Sequence, residues 1–387
     1  MNKFPKICHV FLFLTNQCCC CCPYCFEHRA ETRMTQDMAF RIVKQLIKNA
    51  EEERLIPSIC YFGGEPMLEY DTIIKPITEY IRKEYKKPFN LQIITNGVLL
   101  NEEKIKFLTD NNVALQLSID GDRITQEFNR PMKNGQSSHD ILANVVPNII
   151  KYDSNANFRA TIIPATVKNT YNDLIYLTQL GFKAGFIMPN VFEPWSKMDK
   201  DIFAENLRLY TDYIISEFKN EKSPIVLRNY RDAFRLIPQI NLAIEQKMFR
   251  PEQLSGIKTR CGLCMSTSAA VSYNGELYSC LEQEGNEEFH LGNIFTGIDE
   301  DKRNKLIAKW DGSLKLDKCK ECKLNRICNY GCVSKNYTLC GHFNIPPDLY
   351  CWWENLFLDE AIYMCNAFGD NLPQNFVSIW EEINNGG

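Results

Sequence analysis

The sequence lacks three features, each of which would place it in a different class of protein. It has no apolar run of about 18 residues, so it offers no candidate for a membrane-spanning helix. It has no secretory signal, because the first residues lead almost directly into an apolar, strand-like stretch. Its formal net charge is only −4, which gives no sign of a nucleic-acid-binding surface. We therefore expect neither a membrane nor a nucleic acid as a partner.

Cysteine, by contrast, is abundant, with 18 among 387 residues. In a large chain without a secretory signal, so many cysteines argue against a disulfide scaffold. They favour metal or redox chemistry in a reducing compartment, and we therefore expect a cytoplasmic protein. A chain of this length is also long enough for two domains with substantial cores.

A run of cysteines follows the first apolar stretch, residues 10–14. Only one set of three in this run gives the spacing C-x3-C-x2-C, namely Cys18, Cys22 and Cys25. Three thiolates on one short loop suit a cubane iron–sulfur cluster whose fourth iron has no protein ligand and can hold a small chelating molecule. A zinc knuckle or an accidental low-complexity run remains open at this point, since thiolates serve zinc equally well.

A second motif follows downstream in residues 59–66, Ile-Cys-Tyr-Phe-Gly-Gly-Glu-Pro. It has the pattern of a strand that ends in two glycines, an acid and a proline. Glycines at the C-terminal end of a strand let the backbone approach a ligand closely. Glu65 can accept hydrogen bonds from an amino group. With the three-cysteine loop, this motif makes the sequence resemble the radical S-adenosylmethionine (SAM) enzymes.

That resemblance assigns roles to both motifs. It implies that Cys18, Cys22 and Cys25 bind a [4Fe–4S] cluster, with Tyr24 at the aromatic position of the loop. It also implies that the glycines and the acid of the second motif hold the methionyl amino group of SAM. These are Gly63, Gly64 and Glu65.

Strand-like and helix-like stretches alternate over the N-terminal part of the chain. Further apolar runs follow the first one, at residues 59–62, 91–94, 113–119, 157–163 and 182–188. Amphipathic stretches lie between them, which predicts six strand–helix units and a parallel sheet with right-handed crossovers. Six units cannot close an eight-stranded barrel. We therefore predict an α/β fold with a partial (β/α)6 TIM-like barrel, which agrees with the family that the sequence resembles.

Polar residues follow several of these strands, where an α/β barrel carries its chemistry. Taken alone, the Asn-Gly and Asp-Gly pairs at residues 96–97 and 120–121 are ordinary turns, and Arg130 is an ordinary surface arginine. Resemblance to the SPASM branch of radical SAM enzymes gives three residues a further role. It implies that Ser118 contacts the ribose of SAM, that Arg130 contacts its carboxylate and that Val191 packs on its adenine.

Cysteines return after residues 221–258, which carry no chemical motif. Residues 269–280 predict a β-hairpin with an Asn-Gly turn and a cysteine at its end. Cysteines occur before, in and after this hairpin: Cys261, Cys264, Cys280, Cys319, Cys322, Cys328, Cys332, Cys340 and Cys351. A zinc ribbon needs four cysteines, and this region has eight without Cys340. We therefore prefer two auxiliary iron–sulfur clusters to a zinc ribbon.

The SPASM resemblance divides these ligands between the two clusters. It implies that the first auxiliary cluster is held by Cys261, Cys264, Cys280 and Cys332. The second would be held by Cys319, Cys322, Cys328 and Cys351. Full ligation of the first cluster by Cys264 stays open, as does replacement of Cys351 by Cys340. The other cysteines, Cys19, Cys20 and Cys21 included, are expected to have no ligand role.

These patterns divide the chain into four parts. Residues 1–220 are predicted to form the partial barrel and residues 221–258 a helical linker. Residues 259–355 are predicted to form the SPASM auxiliary-cluster domain, and residues 356–387 a C-terminal helix and tail. The helical periodicity itself begins near Trp352.

The resemblance implies an enzyme with three [4Fe–4S] clusters and SAM as cofactors. Cleavage of SAM would give a 5′-deoxyadenosyl radical that abstracts hydrogen from a peptide or protein. Our leading interpretation is maturation of a ribosomally made peptide through a thioether or carbon–carbon cross-link. The alternatives are an anaerobic sulfatase maturase that forms formylglycine, and a non-catalytic electron-transfer or zinc-binding module. Because exposed clusters are fragile to oxygen, we expect an anaerobic bacterial source.

The resemblance also predicts partners. They are the peptide or protein substrate and a reductant such as flavodoxin or ferredoxin. Only nine residues precede the first apolar strand, so we expect no leader-binding domain at that end. Leader recognition, if it occurs, would use the barrel, the SPASM region or a separate protein.

The residue after Cys280 separates the two enzyme interpretations. Sulfatase maturases have an aspartate there that takes a proton from the substrate, whereas this chain has Leu281, which cannot act as a base. Glu282 is the nearest carboxylate, but on a strand it would point to the opposite face. It is a catalytic candidate only if the chain bends there, and otherwise a solvated surface acid.

Overall fold

The computed structural model describes residues 6–27, 30–153, 155–245, 267–309, 316–325, 327–328, 331–369 and 372–378. Two compact units contain these residues. The first unit holds the described residues of 1–118, 132–156 and 256–311. The second holds those of 119–131, 157–255 and 312–387. The division into four domains stays a prediction.

Ten strands are described in chain order: β1 (His9–Thr15), β2 (Ser58–Gly63), β3 (Asn90–Thr95), β4 (Val113–Ser118), β5 (Asn157–Ile162), β6 (Ala184–Pro189), β7 (Ser268–Val271), β8 (Glu276–Tyr278), β9 (His290–Asn293) and β10 (Gly297–Ile298). The first six lie on the six apolar runs of the sequence. The predicted α/β fold class is therefore confirmed.

The α-helices with described bounds are, in chain order, α1 (Gln36–Glu53), α2 (Lys75–Glu84), α3 (Glu102–Asp110), α4 (Arg123–Asn129), α5 (Ser138–Tyr152), α6 (Thr170–Gln179), α7 (Lys197–Lys219), α8 (Arg228–Glu245), α9 (Glu300–Ala308), α10 (Asp317–Lys320), α11 (Val333–Cys340) and α12 (Asp348–Phe368). None of the described helices is long and apolar enough to cross a bilayer.

Side-chain caps explain where several of these helices begin. The Thr35 hydroxyl accepts a hydrogen bond from the Met38 backbone N–H, 3.2 Å away, at the start of α1. Asn101, Ser137 and Ser196 cap α3, α5 and α7 in the same way. Each cap satisfies a backbone donor that has no partner within the helix. α1 then buries Ile42 and Leu46, which lie four residues apart on one face of the helix.

The first unit is built on a sheet that has β1 near its middle. β1 to β4 are parallel neighbours in chain order, as expected for strand–helix units. On its other side β1 pairs in parallel with β7, which is the first strand of the predicted hairpin. β7 and β8 are antiparallel and meet at a turn with Gly275 at φ +87°, so the hairpin is confirmed. β9 and β10 extend the sheet antiparallel.

The second unit contains the parallel pair β5–β6 and a group of long helices. α12 packs against α7 and α8, with Trp353 stacked on Phe203 at a ring-centroid distance of 4.5 Å. Phe357 meets Tyr230 of α8 edge-to-face. Trp353 and Phe357 are buried core residues. α12 begins four residues before the predicted Trp352.

Two features of the chain differ from the sequence prediction. After the Gly-Gly-Glu-Pro motif the chain forms a 3₁₀ turn at Pro66–Glu69 and a π turn at Tyr70–Ile74 before α2 begins. α4 was not expected and forms because the Asp122 carboxylate caps two backbone donors, Ile124 N and Thr125 N. Part of the predicted linker lies outside the described residues.

Candidate functional site

The Gly-Gly-Glu end of β2 is hydrogen-bonded to the chain that leads into the cysteine run. The Gly64 N–H donates to the Thr15 carbonyl at 2.9 Å, and the Glu65 N–H to the Gln17 carbonyl at 2.8 Å. A Cβ on Gly63 would lie 2.3 Å from the Thr15 oxygen, and one on Gly64 would lie 2.4 Å from the Gln17 oxygen. Glycine is therefore required at both positions. This contact holds the two sequence motifs side by side.

The Glu65 side chain is buried at this junction, with 1% of its surface exposed. One carboxylate oxygen accepts from the Thr95 hydroxyl at 2.6 Å and the Met67 N–H at 3.0 Å. The other accepts from the Asn96 N–H at 2.8 Å. A carboxylate has about four acceptor positions, so about one stays open for a ligand amino group. Burial raises the pKa of Glu65 to about 7, although these hydrogen bonds oppose the shift.

The cysteine run places a different trio of thiols together from the one that the spacing selects. The sulfur atoms of Cys18, Cys19 and Cys20 all lie within 4.8 Å of one another. Cys20 is buried at 1% exposure and forms a β-bridge with Met132. The next turn, in which the Cys25 N–H donates to the Cys22 carbonyl, carries the other two predicted ligands, and the Cys25 side chain is exposed. Only Cys18 belongs to both sets.

Hydrogen-bond donors point at the sulfur atoms of this run. The Asn96 side-chain N–H₂ lies 3.6 Å from Cys18 Sγ and 3.4 Å from Cys19 Sγ. The Cys20 backbone N–H lies 3.4 Å from Cys18 Sγ. Donors of this kind stabilise thiolates, which are the form that binds iron. The residues present therefore fit an iron–sulfur cluster, with Cys18, Cys22 and Cys25 as its predicted ligands. Tyr24 lies in the turn between the last two.

No disulfide bond joins any pair of cysteines in the described part of the chain.

Arg130 makes a buried ion pair. Its Nη2 donates to Asp120 Oδ1 at 3.0 Å, and the Asp120 carboxylate is fully buried. The same oxygen accepts from the Thr161 N–H at 2.8 Å. In the sequence, Asp120 is predicted only as part of a turn. An acid followed ten residues later by an arginine is too common a pattern to have predicted this pair.

The other two SAM candidates lie at strand ends, as expected. Ser118 is the last residue of β4 and is half-buried. Val191 follows β6 and is buried. Asn190 anchors the chain there, because its N–H donates to the Ile162 carbonyl at 2.8 Å. The contacts of Ser118, Arg130 and Val191 with SAM stay predictions.

Four cysteines of the second unit line one cavity of about 740 Å³. They are the predicted ligands of the second auxiliary cluster, Cys319, Cys322, Cys328 and Cys351. Among the described lining residues is Cys351 but not Cys340, which ends α11. Short local turns shape the lining, since the Cys322 N–H donates to the Cys319 carbonyl and the Cys328 N–H to the Leu324 carbonyl. Four soft donors around a cavity fit a cubane cluster. We call this space the four-cysteine cavity.

Of the four predicted ligands of the first auxiliary cluster, two lie among the described residues. Cys280 comes directly before a 3₁₀ turn, and Cys332 comes directly before α11. Both are half-buried. Cys261 and Cys264 lie outside the described residues.

Glu282 lies on the 3₁₀ turn Leu281–Gln283 and not on a strand, so the chain does bend after Cys280. It is half-buried. Glu27, two residues after Cys25, interacts electrostatically with the carboxylates at and beside this turn. Burial is the main cause that raises the pKa of Glu27 to about 8, followed by the charges of Glu284, Cys18 and Glu282. No motif in the sequence had pointed to Glu27.

Comparisons with known proteins give one family match and several partial or distant relatives. The family model of the radical SAM superfamily matches residues 12–172. A cysteine-type anaerobic sulfatase-maturating enzyme of Clostridium perfringens is 24% identical over 330 residues, which are 80% of this chain and 84% of that protein. An uncharacterized protein of Methanocaldococcus jannaschii, MJ0907, is 33% identical over 132 residues, which are 34% of this chain but only 44% of that protein.

Solved structures show the same fold over nearly the whole chain. The sulfatase-maturating enzyme anSMEcpe with bound AdoMet has a TM-score of 0.75 and 21% identity, and the match covers 97% of this chain and 98% of that one. The same enzyme with AdoMet and the Cp18Cys peptide has a TM-score of 0.73 and 22% identity, covering 99% and 100%. SuiB of Streptococcus suis, bound to the precursor peptide SuiA, has a TM-score of 0.60 and 15% identity, covering 89% and 76%. This likeness confirms the partial-barrel fold.

Proposed function

Because residues 12–172 match the radical SAM superfamily and most of the chain resembles a sulfatase-maturating enzyme, we propose that it is a radical SAM enzyme that modifies a peptide or protein substrate by hydrogen abstraction. One observation carries the radical SAM part: the Gly-Gly-Glu end of β2 is hydrogen-bonded to the start of the cysteine run. The peptide part is supported by the peptides named in two of the similar structures, Cp18Cys and SuiA.

In this proposal the bound [4Fe–4S] cluster and SAM together supply a 5′-deoxyadenosyl radical. The chain's own residues bind and orient the cluster and SAM. Cys18, Cys22 and Cys25 are the cluster ligands, and Glu65 accepts a hydrogen bond from the methionyl amino group. Thr95 and Asn96 keep the Glu65 carboxylate in place.

The remaining SAM contacts in the proposal are those that the family resemblance assigns. Ser118 contacts the ribose, Arg130 the carboxylate and Val191 the adenine. Arg130 also forms the buried ion pair with Asp120.

The proposal includes two auxiliary clusters, which brings the total to three. The four-cysteine cavity supports the second auxiliary cluster. Cys261, Cys264, Cys280 and Cys332 are proposed for the first. A flavodoxin or ferredoxin is the proposed reductant, and a reducing, cytoplasmic location is proposed with it. A separate leader-binding protein is a proposed partner.

We propose a thioether or carbon–carbon cross-link as the product. The supporting feature is Leu281, which cannot serve as the proton acceptor that formylglycine formation needs next to Cys280. Sulfatase maturation is the second candidate, because a sulfatase-maturating enzyme matches most of the chain. In that case Glu282, which lies on the bend after Cys280, is the candidate base.

Mass spectrometry of peptides incubated with reduced, reconstituted enzyme and SAM tests the proposal. A sulfatase-motif peptide should remain unmodified although SAM is cleaved. A short precursor peptide encoded beside the gene should lose two hydrogens per cross-link. The Cys18→Ala/Cys22→Ala/Cys25→Ala variant is the control. It should neither cleave SAM nor remove hydrogens from the precursor peptide. Formation of the aldehyde on the sulfatase peptide would contradict the cross-linking proposal.

Metal analysis and SAM cleavage distinguish the proposed enzyme from the non-catalytic alternatives, a zinc-binding module and an electron-transfer protein. A zinc-binding module would contain zinc and no sulfide after anaerobic purification. An electron-transfer protein would contain iron and sulfide but would not cleave SAM.

A further inference from the structure

An amide side chain contacts one of the sulfur atoms in the four-cysteine cavity. Asn355, on α12, places its Nδ2 3.5 Å from Cys322 Sγ and its Oδ1 3.8 Å from the same atom. Asn355 and Cys322 both line the cavity. The structure therefore shows a polar contact to a predicted cluster ligand that comes from a distant part of the sequence.

A second hydrogen bond fixes the orientation of this amide. Nδ2 also donates to the Cys351 carbonyl at 2.8 Å, one helical turn earlier on α12. A side-chain amide has two N–H groups, so one is used by the carbonyl and the other is available to the sulfur. Because Cys351 is itself a predicted ligand, Asn355 joins two ligand residues of the same cavity.

The contact suits both protonation states of the sulfur. A thiol can donate its S–H to Oδ1, whereas a thiolate can only accept, and Nδ2 is the donor that it meets. Metal binding requires the thiolate, so in the cluster-bound protein Asn355 acts as the donor. Hydrogen bonds to ligand sulfurs are one of the ways in which a protein sets the reduction potential of an iron–sulfur cluster.

We propose that Asn355 raises the reduction potential of the second auxiliary cluster by donating a hydrogen bond to the Cys322 thiolate. The inference rests on the proposed function, which makes Cys322 a ligand of that cluster. One-electron reduction adds one negative charge, part of which resides on the ligand sulfurs, and no bond to protein breaks. A directed N–H donor stabilises that added charge more than it stabilises the oxidised state.

The charged side chains that line the cavity do not stabilise the reduced cluster as the Asn355 donor does. The lining holds both cationic side chains, Lys318 and Lys323 among them, and anionic side chains, Glu321 and Glu354 among them. The Lys318 ammonium already donates to the Pro346 carbonyl and to Asp348, and Lys323 pairs with Asp359. The Asn355 amide is the side-chain donor that the described structure aims at Cys322.

A higher potential has a direct use in the proposed reaction. Hydrogen abstraction and bond formation, in which the second partner group releases a proton to solvent, leave a substrate radical that must lose one electron. A cluster with a raised potential accepts that electron more readily, so Asn355 would favour the oxidative half of a cross-linking reaction. It is a positioning residue and does not touch the substrate.

The experiment is a redox titration of the reconstituted full-length chain, followed by electron paramagnetic resonance. The signal that disappears in the Cys319→Ala/Cys322→Ala variant is assigned to the second auxiliary cluster. In Asn355→Leu the ratio of reduced to oxidised cluster at a fixed potential should fall about tenfold, equivalent to about 59 mV for one electron. Asn355→Asp, which has the same size but lacks the N–H₂ group, should shift the signal in the same direction.

Asn366→Leu is the matched control, because Asn366 is an exposed asparagine on the same helix. Its titration should equal that of the unaltered chain. An unchanged or raised potential in both Asn355 variants, with full iron content, would overturn the inference and leave the proposed function intact. Loss of the cluster in both variants would also overturn it, since Asn355 would then serve to hold Cys322. If the Cys319→Ala/Cys322→Ala variant loses no signal and no iron, the cluster assignment itself fails.

Discussion

One residue, Glu65, should determine how SAM binding depends on pH. The Glu65 carboxylate is buried, and its pKa is raised to about 7, mainly by desolvation. Below that pH the group is increasingly protonated in the SAM-free protein. A protonated carboxyl loses much of its ability to accept a hydrogen bond from an amino group. Lowering the pH through about 7 should therefore weaken SAM binding.

We expect the affinity of the reconstituted enzyme for SAM to fall up to about tenfold per pH unit below the pKa of Glu65. Glu65→Gln has no titratable group, so it should bind SAM more weakly at about pH 8 and with little change down to about pH 6. Equilibrium binding measured over this range checks the prediction. Parallel pH profiles for the two proteins would show that Glu65 does not contact SAM.

The pair Arg130–Asp120 makes a second prediction at this scale. Asp120 is fully buried, so replacing Arg130 by Met leaves a charge without its partner. Breaking a buried pair in this way typically costs about 3–5 kcal/mol of unfolding free energy. The Asp120→Asn/Arg130→Met double variant should lose less, because it buries no charge and the amide oxygen introduced at position 120 can still accept from the Thr161 N–H.

Denaturant unfolding of the cluster-free chain measures these differences. Arg123→Met is the control, since Arg123 is exposed and its pair with Glu127 on α4 should contribute less than about 1 kcal/mol. Equal stability of the single and double variants would show that the pair is unimportant. SAM affinities of Arg130 variants are meaningful only where these variants remain folded.

At the scale of an element, the cysteine run holds two overlapping sets of thiols. The spacing selects Cys18, Cys22 and Cys25, whereas the structure groups Cys18 with Cys19 and Cys20. Residues 19 and 20 are held inward because their backbone pairs with residues 132 and 133. A loop with five consecutive cysteines thus offers more than one set of three sulfur atoms as possible cluster ligands.

Replacing Cys19, Cys20 and Cys21 together by Ala should leave SAM cleavage by dithionite-reduced enzyme largely intact. The reason is that none of these residues can give the C-x3-C-x2-C spacing together with the other two predicted ligands. Production of 5′-deoxyadenosine is the measurement, and circular dichroism confirms folding. Complete loss of cleavage in a folded variant would mean that the trio grouped in the structure supplies the ligands.

For the whole molecule, the iron content per chain determines how many clusters the protein holds. Three cubane clusters require about twelve irons per chain. The Cys18→Ala/Cys22→Ala/Cys25→Ala variant and the Cys319→Ala/Cys322→Ala variant should each lose about four. Iron and acid-labile sulfide analysis after anaerobic reconstitution provides the numbers. About four irons in the intact chain would remove both auxiliary clusters from the proposal.

Local patterns account for what could be predicted of this fold. Apolar runs set the six strands β1 to β6, and hydroxyl or amide caps such as Thr35 set the starts of helices, because both effects act within a few residues. The Asn-Gly turn of the β7–β8 hairpin is local in the same sense. α4 was missed although its cap, Asp122, is also local, because the Asp-Gly pair before it indicated only a turn.

The sequence by itself determined the motif spacings, the alternation of strands and helices, and the family to which they point. Tertiary structure alone decided the contacts between residues far apart in the chain. These include the parallel pairing of β1 with β7, the hydrogen bonds that Thr95 and Asn96 donate to Glu65, and the amide of Asn355 beside Cys322. The physical reason is that such contacts depend on how separate elements pack. No periodicity or spacing within one segment encodes which distant side chain will meet it.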